Sequence, residues 1–349
     1  MSSDDELIAL DRAHIWRPDT AREEQEPRAL VGVERAQGPG VVARDGRRVL
    51  DASGSWWCNN LGHGHPRLRA AIAEQSERLM HCTFAAATHE PATRLAAELV
   101  EVAPRGLERV FYSDDGSTSV EVALKIAFQY WQQNGRPKRR RFLSLPGAYH
   151  GDTLGAMSVG DLDEFTAVFR PLFFDVQRPA DAVGHRWEPV FDELIAMLHR
   201  QSDVIAAVIV EPVVQGAAGM RMYPPELLAA LREETERVDT FLIADEVFTG
   251  FGRTGPMWAS DHAGITPDLL CTAKGLSGGM LPFAATLTTG RVYEGFGGDK
   301  SRALMHGHTF YGHPIGAAVA REVLAIYRDD DILAAAAPKA DALAEGIRV

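Results

Sequence analysis

Residues 241–275 read FLIADEVFTGFGRTGPMWASDHAGITPDLLCTAKG. Two short apolar runs stand in this stretch, Phe241–Ala244 and, behind an opening carboxylate, Asp268–Ala273. Each has the length of a strand and is apolar at successive positions rather than alternate ones. A strand that is apolar on both faces has to be buried on both, as an inner strand of a helix-covered parallel sheet is. Each run ends in polar residues: Asp245 and Glu246 close the first, Lys274 and Gly275 the second. Ligands of such sheets sit beyond the carboxyl ends of the strands. The stretch therefore predicts that Asp245 and Lys274 share one end of a sheet.

Working outward, similar runs occur at Arg109–Ser113, Phe142–Leu145, Ile205–Val210 and Phe283–Thr288. Helical spacing separates many of them. The clearest case is Ser119–Gln132, where Val120, Leu124, Ala127 and Trp131 recur on one face. The expected fold is α/β, a mostly parallel central sheet with helices on both faces. Roughly the first 50 residues differ, being polar and proline-dotted, with turn signals at Gly38-Pro39-Gly40 and Asp45-Gly46. Ile332–Val349 is an alanine-rich helical pattern in which Pro338 is expected to cause a break. The chain stops at Glu345–Val349 in what reads as mid-domain.

Composition narrows the possible partners. With 349 residues, 46% hydrophobic and 24% charged, the chain can build a large core as one big domain or two ordinary ones. Its net charge of -12, from 36 basic and 48 acidic residues, argues against nucleic acid and anionic membranes. The one basic run, Lys138–Arg141, is expected to be a solvated loop. Cys58, Cys82 and Cys271 are odd in number and form no C-x-x-C pair, so neither a disulfide framework nor a zinc site is expected. The acidic start MSSDDELIAL is no signal peptide, and no run reaches the ~20 apolar residues of a spanning helix. A cytoplasmic location is the expectation.

Four clusters carry chemistry. Lys274 leaves an apolar strand for a loop holding Gly275, Gly278 and Gly279, a poorly solvated setting that lowers an amine pKa and suits Schiff-base formation. Asp245 can hold a proton on the nitrogen of a flat heterocycle. Asp114–Thr118 lies between a strand and the helix expected to start near Ser119, where backbone N–H groups bind phosphate. Tyr149, among Gly147 and Gly151, can stack on a ring. Taken alone, each has a plainer reading: a surface lysine, a capping carboxylate, a Ser/Thr N-cap, a packed loop tyrosine. Gly250–Gly255 spells G-x-G-x-x-G, but Pro256 and Trp258 come after it instead of a clear helix, so no dinucleotide site is expected. His63/His65 and His306/His308 lack carboxylate or cysteine partners at ligand spacing, so no metal is expected.

In order, the phosphate cup, the stacking tyrosine, the strand-end aspartate and the strand-end lysine succeed one another as in fold-type I pyridoxal-phosphate enzymes. Ala244–Gly275 resembles the class III aminotransferase signature. His14–Pro18, Ser55–Trp57, Tyr149–Thr153, Gly155–Val159, Gln215-Gly216 with Gly219-Met220, and Met305–Thr309 resemble the biotin-pathway branch of that family, which aminates 8-amino-7-oxononanoate. The resemblance covers nearly the whole chain. It implies that Lys274 binds pyridoxal 5′-phosphate covalently, that Asp245 pairs with the pyridine nitrogen, and that Gly116 and Ser117 hold the phosphate. It also implies a homodimer in which His308 and Thr309 reach the phosphate of the other subunit. Trp56, Tyr149, Lys274 and Gly307 would line the substrate site, and Lys274, Asp245 and Tyr149 would be catalytic. The implied amino donor is S-adenosylmethionine. Gly278–Pro282 and His306–His308 resemble in part the relatives that use lysine.

The resemblance divides the chain into an N-terminal part of a small domain (1–54), a large cofactor-binding domain (55–331) and the start of a C-terminal small domain (332–349), expected to be incomplete. That missing part would carry the arginine that pairs with the substrate carboxylate. Two further departures from the family's pattern are Asp19, where an aromatic is usual, and Asp115, where serine is common and a carboxylate would face a phosphate. Two rival readings remain: another class III enzyme acting on an ω-amino acid or diamine, and a non-catalytic pyridoxal-phosphate-binding paralogue.

Overall fold

A computed structural model describes residues 3–25, 30–181 and 186–347. Met1, Ser2 and Pro27 of the proline-dotted start, and Arg348-Val349 of the alanine-rich tail, lie outside the described residues. The first sheet is small and antiparallel: β1 (Val33–Gln37), β2 (Gly40–Ala43) and β3 (Arg48–Leu50). The turn signals at 38–40 and 45–46 are its two hairpin connections, with Gly38 at φ +58 and Gly46 at φ +86.

The remaining strands are β4 (Leu107–Ser113), β5 (Arg141–Ser144), β6 (Val176–Gln177), β7 (Ile205–Val210), β8 (Val214–Gln215), β9 (Arg221–Met222), β10 (Phe241–Asp245), β11 (Leu269–Thr272) and β12 (Ala284–Thr289). Strands β8 and β9 form a separate two-stranded ribbon. The other seven make one sheet in the order β4-β12-β11-β10-β7-β5-β6. It is parallel from β11 through β6, and β12 runs antiparallel to both of its neighbours. The mostly parallel sheet is thus observed, with one reversed inner strand. An inner antiparallel strand is buried on both faces too, so hydrophobicity could not distinguish it.

The period of two along each strand sorts side chains into layers. Ile209, Phe241 and Ile243 join Val120, Leu124, Ala127 and Trp131 of helix Gly116–Gln133 on one face. Val208, Val210 and Leu242 join Leu194 and Leu198 of helix Glu188–Arg200, and Leu228 and Leu231 of helix Pro225–Arg237, on the other. A third cluster sets Leu270, Ala285 and Leu287 against Leu95 and Leu99 of helix Glu90–Val102 and Ala320 and Val323 of helix Pro314–Asp329. Each fully buried leucine or isoleucine contributes about 1.5–3 kcal/mol relative to exposure.

Three local expectations are corrected. Helix Gly116–Gln133 begins three residues before Ser119, because its N-cap is Asp115 rather than a Ser or Thr. The basic run is not all solvated loop. Arg141 opens β5, and Arg139 is 3% exposed, stacked over the Trp131 ring and donating to the Val238 carbonyl and the Thr240 hydroxyl. A guanidinium can be buried where carbonyls and an aromatic face receive it. Finally, helix Ile332–Ile347 runs through Pro338 without a break. The carbonyl that loses its partner there is that of Ala334, which is exposed and can turn to water. Among the described residues, no helix is long and apolar enough to cross a membrane.

Candidate active site

The carboxyl ends of β4, β7, β10 and β11 open on one cavity of about 590 Å³. Asp245 is the last residue of β10 and registers against Cys271 of the parallel β11, so Lys274 leaves the sheet beside it. Both line the cavity, as their strand-end positions predict. The Lys274 amine lies 5.3 Å from the centre of the Trp57 ring and 5.9 Å from that of Phe248. Burial pulls it below the ordinary lysine value, against the opposing pull of the Asp245 and Glu211 carboxylates. Its own φ of +35 shows that the loop holds it in an unfavourable conformation.

Asp245 is 4% exposed and fixed at both oxygens. Its Oδ2 lies 2.7 Å from Nδ1 of His150, and its Oδ1 accepts from the Val247 N–H at 3.1 Å. Along the sequence His150 stands out only as Tyr149's neighbour; spatially it is Asp245's partner. Its other nitrogen, Nε2, is buried without a hydrogen-bond partner. A second carboxylate, Glu211, lies directly after β7. It accepts from the N–H groups of Tyr149 and Gly216, both at 3.0 Å. The strand-end rule that finds Asp245 and Lys274 finds Glu211 too, since it comes directly after Ile205–Val210.

The phosphate cup is the first turn of helix Gly116–Gln133. The Asp115 carboxylate caps this helix, accepting from the Thr118 N–H at 2.9 Å, and Asp115 lines the cavity beside Gly116 and Ser117. Gly116 sits where a Cβ would lie 2.6 Å from Cγ1 of Val247, so the helix end approaches β10's exit loop as only glycine allows. The Ser117 hydroxyl accepts from the Asp152 N–H at 3.1 Å, under Gly151. Tyr149 also lines the cavity, with its hydroxyl donating to Asp152 at 3.0 Å. Burial, then Asp152, raises its pKa; Asp19, standing where an aromatic was expected, pushes the same way.

Trp56 and Trp57 form the wall opposite. They belong to a left-handed turn in which Ser55, Trp56 and Trp57 have φ of +50, +59 and +66. Such a conformation costs about 1–2 kcal/mol per non-glycine residue. Gly307, His308 and Thr309 do not line the cavity of their own chain. His308 lies at its rim, with Nδ1 3.3 Å from Oδ2 of Asp114. His63 likewise has a carboxylate, Asp51, at 2.8 Å. One histidine of each pair therefore meets an acid, His63 one that is 12 positions away along the chain and His308 one at a distant strand end. No group of three or more potential ligands able to hold a metal occurs among the described residues. The Gly250–Gly255 motif is a chain of turns, with the Gly250 N–H on the Glu246 carbonyl at 3.0 Å, and it opens no long helix.

Residues 21–348 match the family described as Aminotransferase class-III. The chain is 42% identical over 336 residues to the adenosylmethionine-8-amino-7-oxononanoate aminotransferase of Geobacter sulfurreducens, covering 93% of this chain and 74% of that one. The crystal structure of the protein of the same name from Methanocaldococcus jannaschii superposes with a TM-score of 0.93 at 36% identity, over 97% of this chain and 78% of that one. An amine transaminase from an uncultivated Pseudomonas species, solved in a PLP-bound form, gives a TM-score of 0.85 at 36% identity, over 91% and 75% of the two chains. The cavity beyond β4, β7, β10 and β11 fits that cofactor. It offers a desolvated lysine amine, a carboxylate clamped at both oxygens, a helix N-terminus crowded to glycine, and an unpartnered buried imidazole nitrogen.

Proposed function

The chain belongs to the class III aminotransferases, and from that premise we propose that it aminates 8-amino-7-oxononanoate to 7,8-diaminononanoate in biotin biosynthesis, with S-adenosylmethionine as donor. The observation that carries the substrate is the 42% identity, over 93% of the chain, to a relative named for that reaction. Pyridoxal 5′-phosphate is the cofactor of the family, and when bound it supplies an electron sink that acidifies the C–H bond beside the reacting amine.

The residues here do the rest. Lys274 anchors the cofactor. Freed by a donor amine, its desolvated amine would take the proton from the substrate carbon and deliver it to the carbon on the other side of the nitrogen, as base and then acid. Asp245 holds a proton at the ring nitrogen, and His150 and the Val247 N–H keep its carboxylate aimed. The first-turn amides at Gly116 and Ser117 hold the phosphate. Tyr149 would cover the ring, Trp57 lines the site beside Lys274, and Trp56 stands at its mouth. Water would supply the oxygen of the donor's carbonyl product while the amino nitrogen stays on the cofactor, and the reverse sequence would pass that nitrogen to the acceptor, whose ketone oxygen leaves as water.

The same proposal places Gly307, His308 and Thr309 at the second subunit's site in a homodimer. Met305 and Phe310, 73% and 52% exposed on the same loop, support it as apolar surface for a second copy to cover. It also takes 55–331 as the large domain, with 1–54 and 332–349 in the small one. The seven-stranded sheet, contained in 107–289, and the small sheet at 33–50 support that division.

A second reading, a general amine transaminase, is favoured by the likeness to the Pseudomonas enzyme. Purified protein loaded with cofactor separates the two. 8-Amino-7-oxononanoate is supplied with S-adenosylmethionine, with lysine or with a simple primary amine, while product and cofactor absorbance are monitored. Turnover with S-adenosylmethionine is expected. Turnover of simple amines with ordinary ketones, and none with 8-amino-7-oxononanoate, would reverse the two readings. No turnover with any pair would leave a cofactor-binding protein only.

A further inference from the structure

The most strained segment on the cavity wall is held by a residue outside the cavity. Gly54, Ser55, Trp56 and Trp57 succeed one another at φ +59, +50, +59 and +66. They form a left-handed turn closed by the Trp57 N–H on the Ser53 carbonyl at 2.9 Å and the Cys58 N–H on the Gly54 carbonyl at 3.0 Å. Glycine adopts this backbone freely; a serine and two tryptophans do not. Something must hold them there, and the structure shows what does. The Asp51 carboxylate accepts from the Ser55 N–H at 3.0 Å, the Ser55 hydroxyl at 2.7 Å and the Ser53 hydroxyl at 3.3 Å, and lies 2.8 Å from Nε2 of His63. The side chain is 13% exposed and does not line the cavity.

The turn is coupled to the reacting amine from two sides. Trp57 lies under Lys274, and its carbonyl accepts from Arg253 at 3.1 Å. At its far end, Asn59 and Cys58 press on the loop after Lys274: a Cβ on Gly279 would lie 2.0 Å from Oδ1 of Asn59 and 3.3 Å from Sγ of Cys58. Trp56 stands at the mouth, 65% exposed, where an incoming substrate would cover it. If the turn relaxed to right-handed backbone, both indoles would point elsewhere.

We propose that Asp51 is a specificity-determining positioning residue, whose carboxylate locks the left-handed turn that aims Trp56 and Trp57 at the acceptor substrate. The identity of that acceptor rests on the function proposed for this site. An amide in place of the carboxylate has one accepting oxygen and must point an NH₂ at a donor, so Asp51→Asn frees the turn with little change in volume. Adding Ser55→Gly relieves one of the three strained residues, because glycine takes φ +50 without strain, and so lessens what the lock must hold.

The test uses cofactor-loaded protein labelled with 5-fluorotryptophan, the Trp56 and Trp57 signals being assigned by single Trp→Phe changes. In Asp51→Asn, those two ¹⁹F signals are expected to move or broaden while those of Trp131, Trp187 and Trp258 stay, and the Asp51→Asn/Ser55→Gly pair is expected to bring them part of the way back. KM for 8-amino-7-oxononanoate should rise about tenfold in the single variant and fall part of the way back in the double, with cofactor affinity within about twofold of wild type. Unmoved Trp56 and Trp57 signals overturn the proposal. So do shifts of all tryptophans together with loss of cofactor, which mark general destabilisation, a failure of Ser55→Gly to rescue, or a normal KM with displaced signals. If the wild-type protein does not turn over 8-amino-7-oxononanoate, the substrate reading fails by itself, and the ¹⁹F spectra and rescue still decide the role of Asp51.

Discussion

Glu211 is the residue whose protonation sets a pH dependence. Burial pushes its carboxyl up to about 7, against the pull of His150 and of the Tyr149 N–H. A folded-state value above the unfolded one means that the native state binds the proton more tightly. The stability this contributes is complete below the unfolded value of 4.5 and is lost as pH rises through about 7. Across that window the loss is on the order of 3 kcal/mol. Urea unfolding of wild-type protein should therefore show stability falling between those limits more steeply than in Glu211→Gln, whatever the variant's absolute stability. Parallel slopes in the two proteins would remove Glu211 as the titrating group. Lys274 and Asp245 have separate signatures. Borohydride reduction and then peptide mapping should label Lys274, and no label should appear in Lys274→Ala. Asp245→Asn is expected to keep cofactor but lose about 10²–10³ in kcat, since an amide keeps the shape and drops the charge. Near-normal turnover there would assign Asp245 a different task.

At the scale of elements, the phosphate cup depends on how closely one helix end meets one loop. Gly116→Ala should raise the dissociation constant for pyridoxal phosphate about tenfold, the cost of forcing a methyl into a packed contact. Val247→Ala, which removes the atom at 2.6 Å, should restore most of it. Equilibrium titration of apoprotein measures both, and a Gly116→Ala protein that binds normally would show that the helix end is not pinned by Val247. The same elements show what a reader of the sequence can and cannot see. Asp245 and Lys274 were legible because a doubly buried strand announces where it ends. The reversal of β12 was not, since an inner strand is apolar whichever way it runs. The small sheet was seen only as turns, because β1 and β3 are exposed and carry no alternation. The partnership of His150 with Asp245 joins residues far apart in sequence, and nothing local encodes it. The left-handed turn was hidden too, for only Gly54 signals positive φ and the three residues after it argue against it.

The whole molecule is proposed to work as a pair. Mixing Lys274→Ala chains with Thr309→Ala chains, each inactive or nearly so alone, should restore roughly a quarter of wild-type activity, because random pairing makes half the dimers hybrids with one intact site each. Absence of dimers by light scattering, or of any complementation, would leave Thr309 without a catalytic role in this chain. The order of the sheet also bears on how the molecule comes into being. β4, which leads into the phosphate cup, is an edge strand whose one neighbour in that sheet is β12. The ribosome makes Leu107–Ser113 early and its partner only when Ala284–Thr289 emerges, after Lys274 itself. Contacts so distant along the chain form slowly and leave an apolar strand waiting for an edge. Limited proteolysis of ribosome-arrested nascent chains should find the 107–113 segment open to cleavage until Thr289 has cleared the exit tunnel. Its birth, unlike its chemistry, is governed by the last strand to arrive.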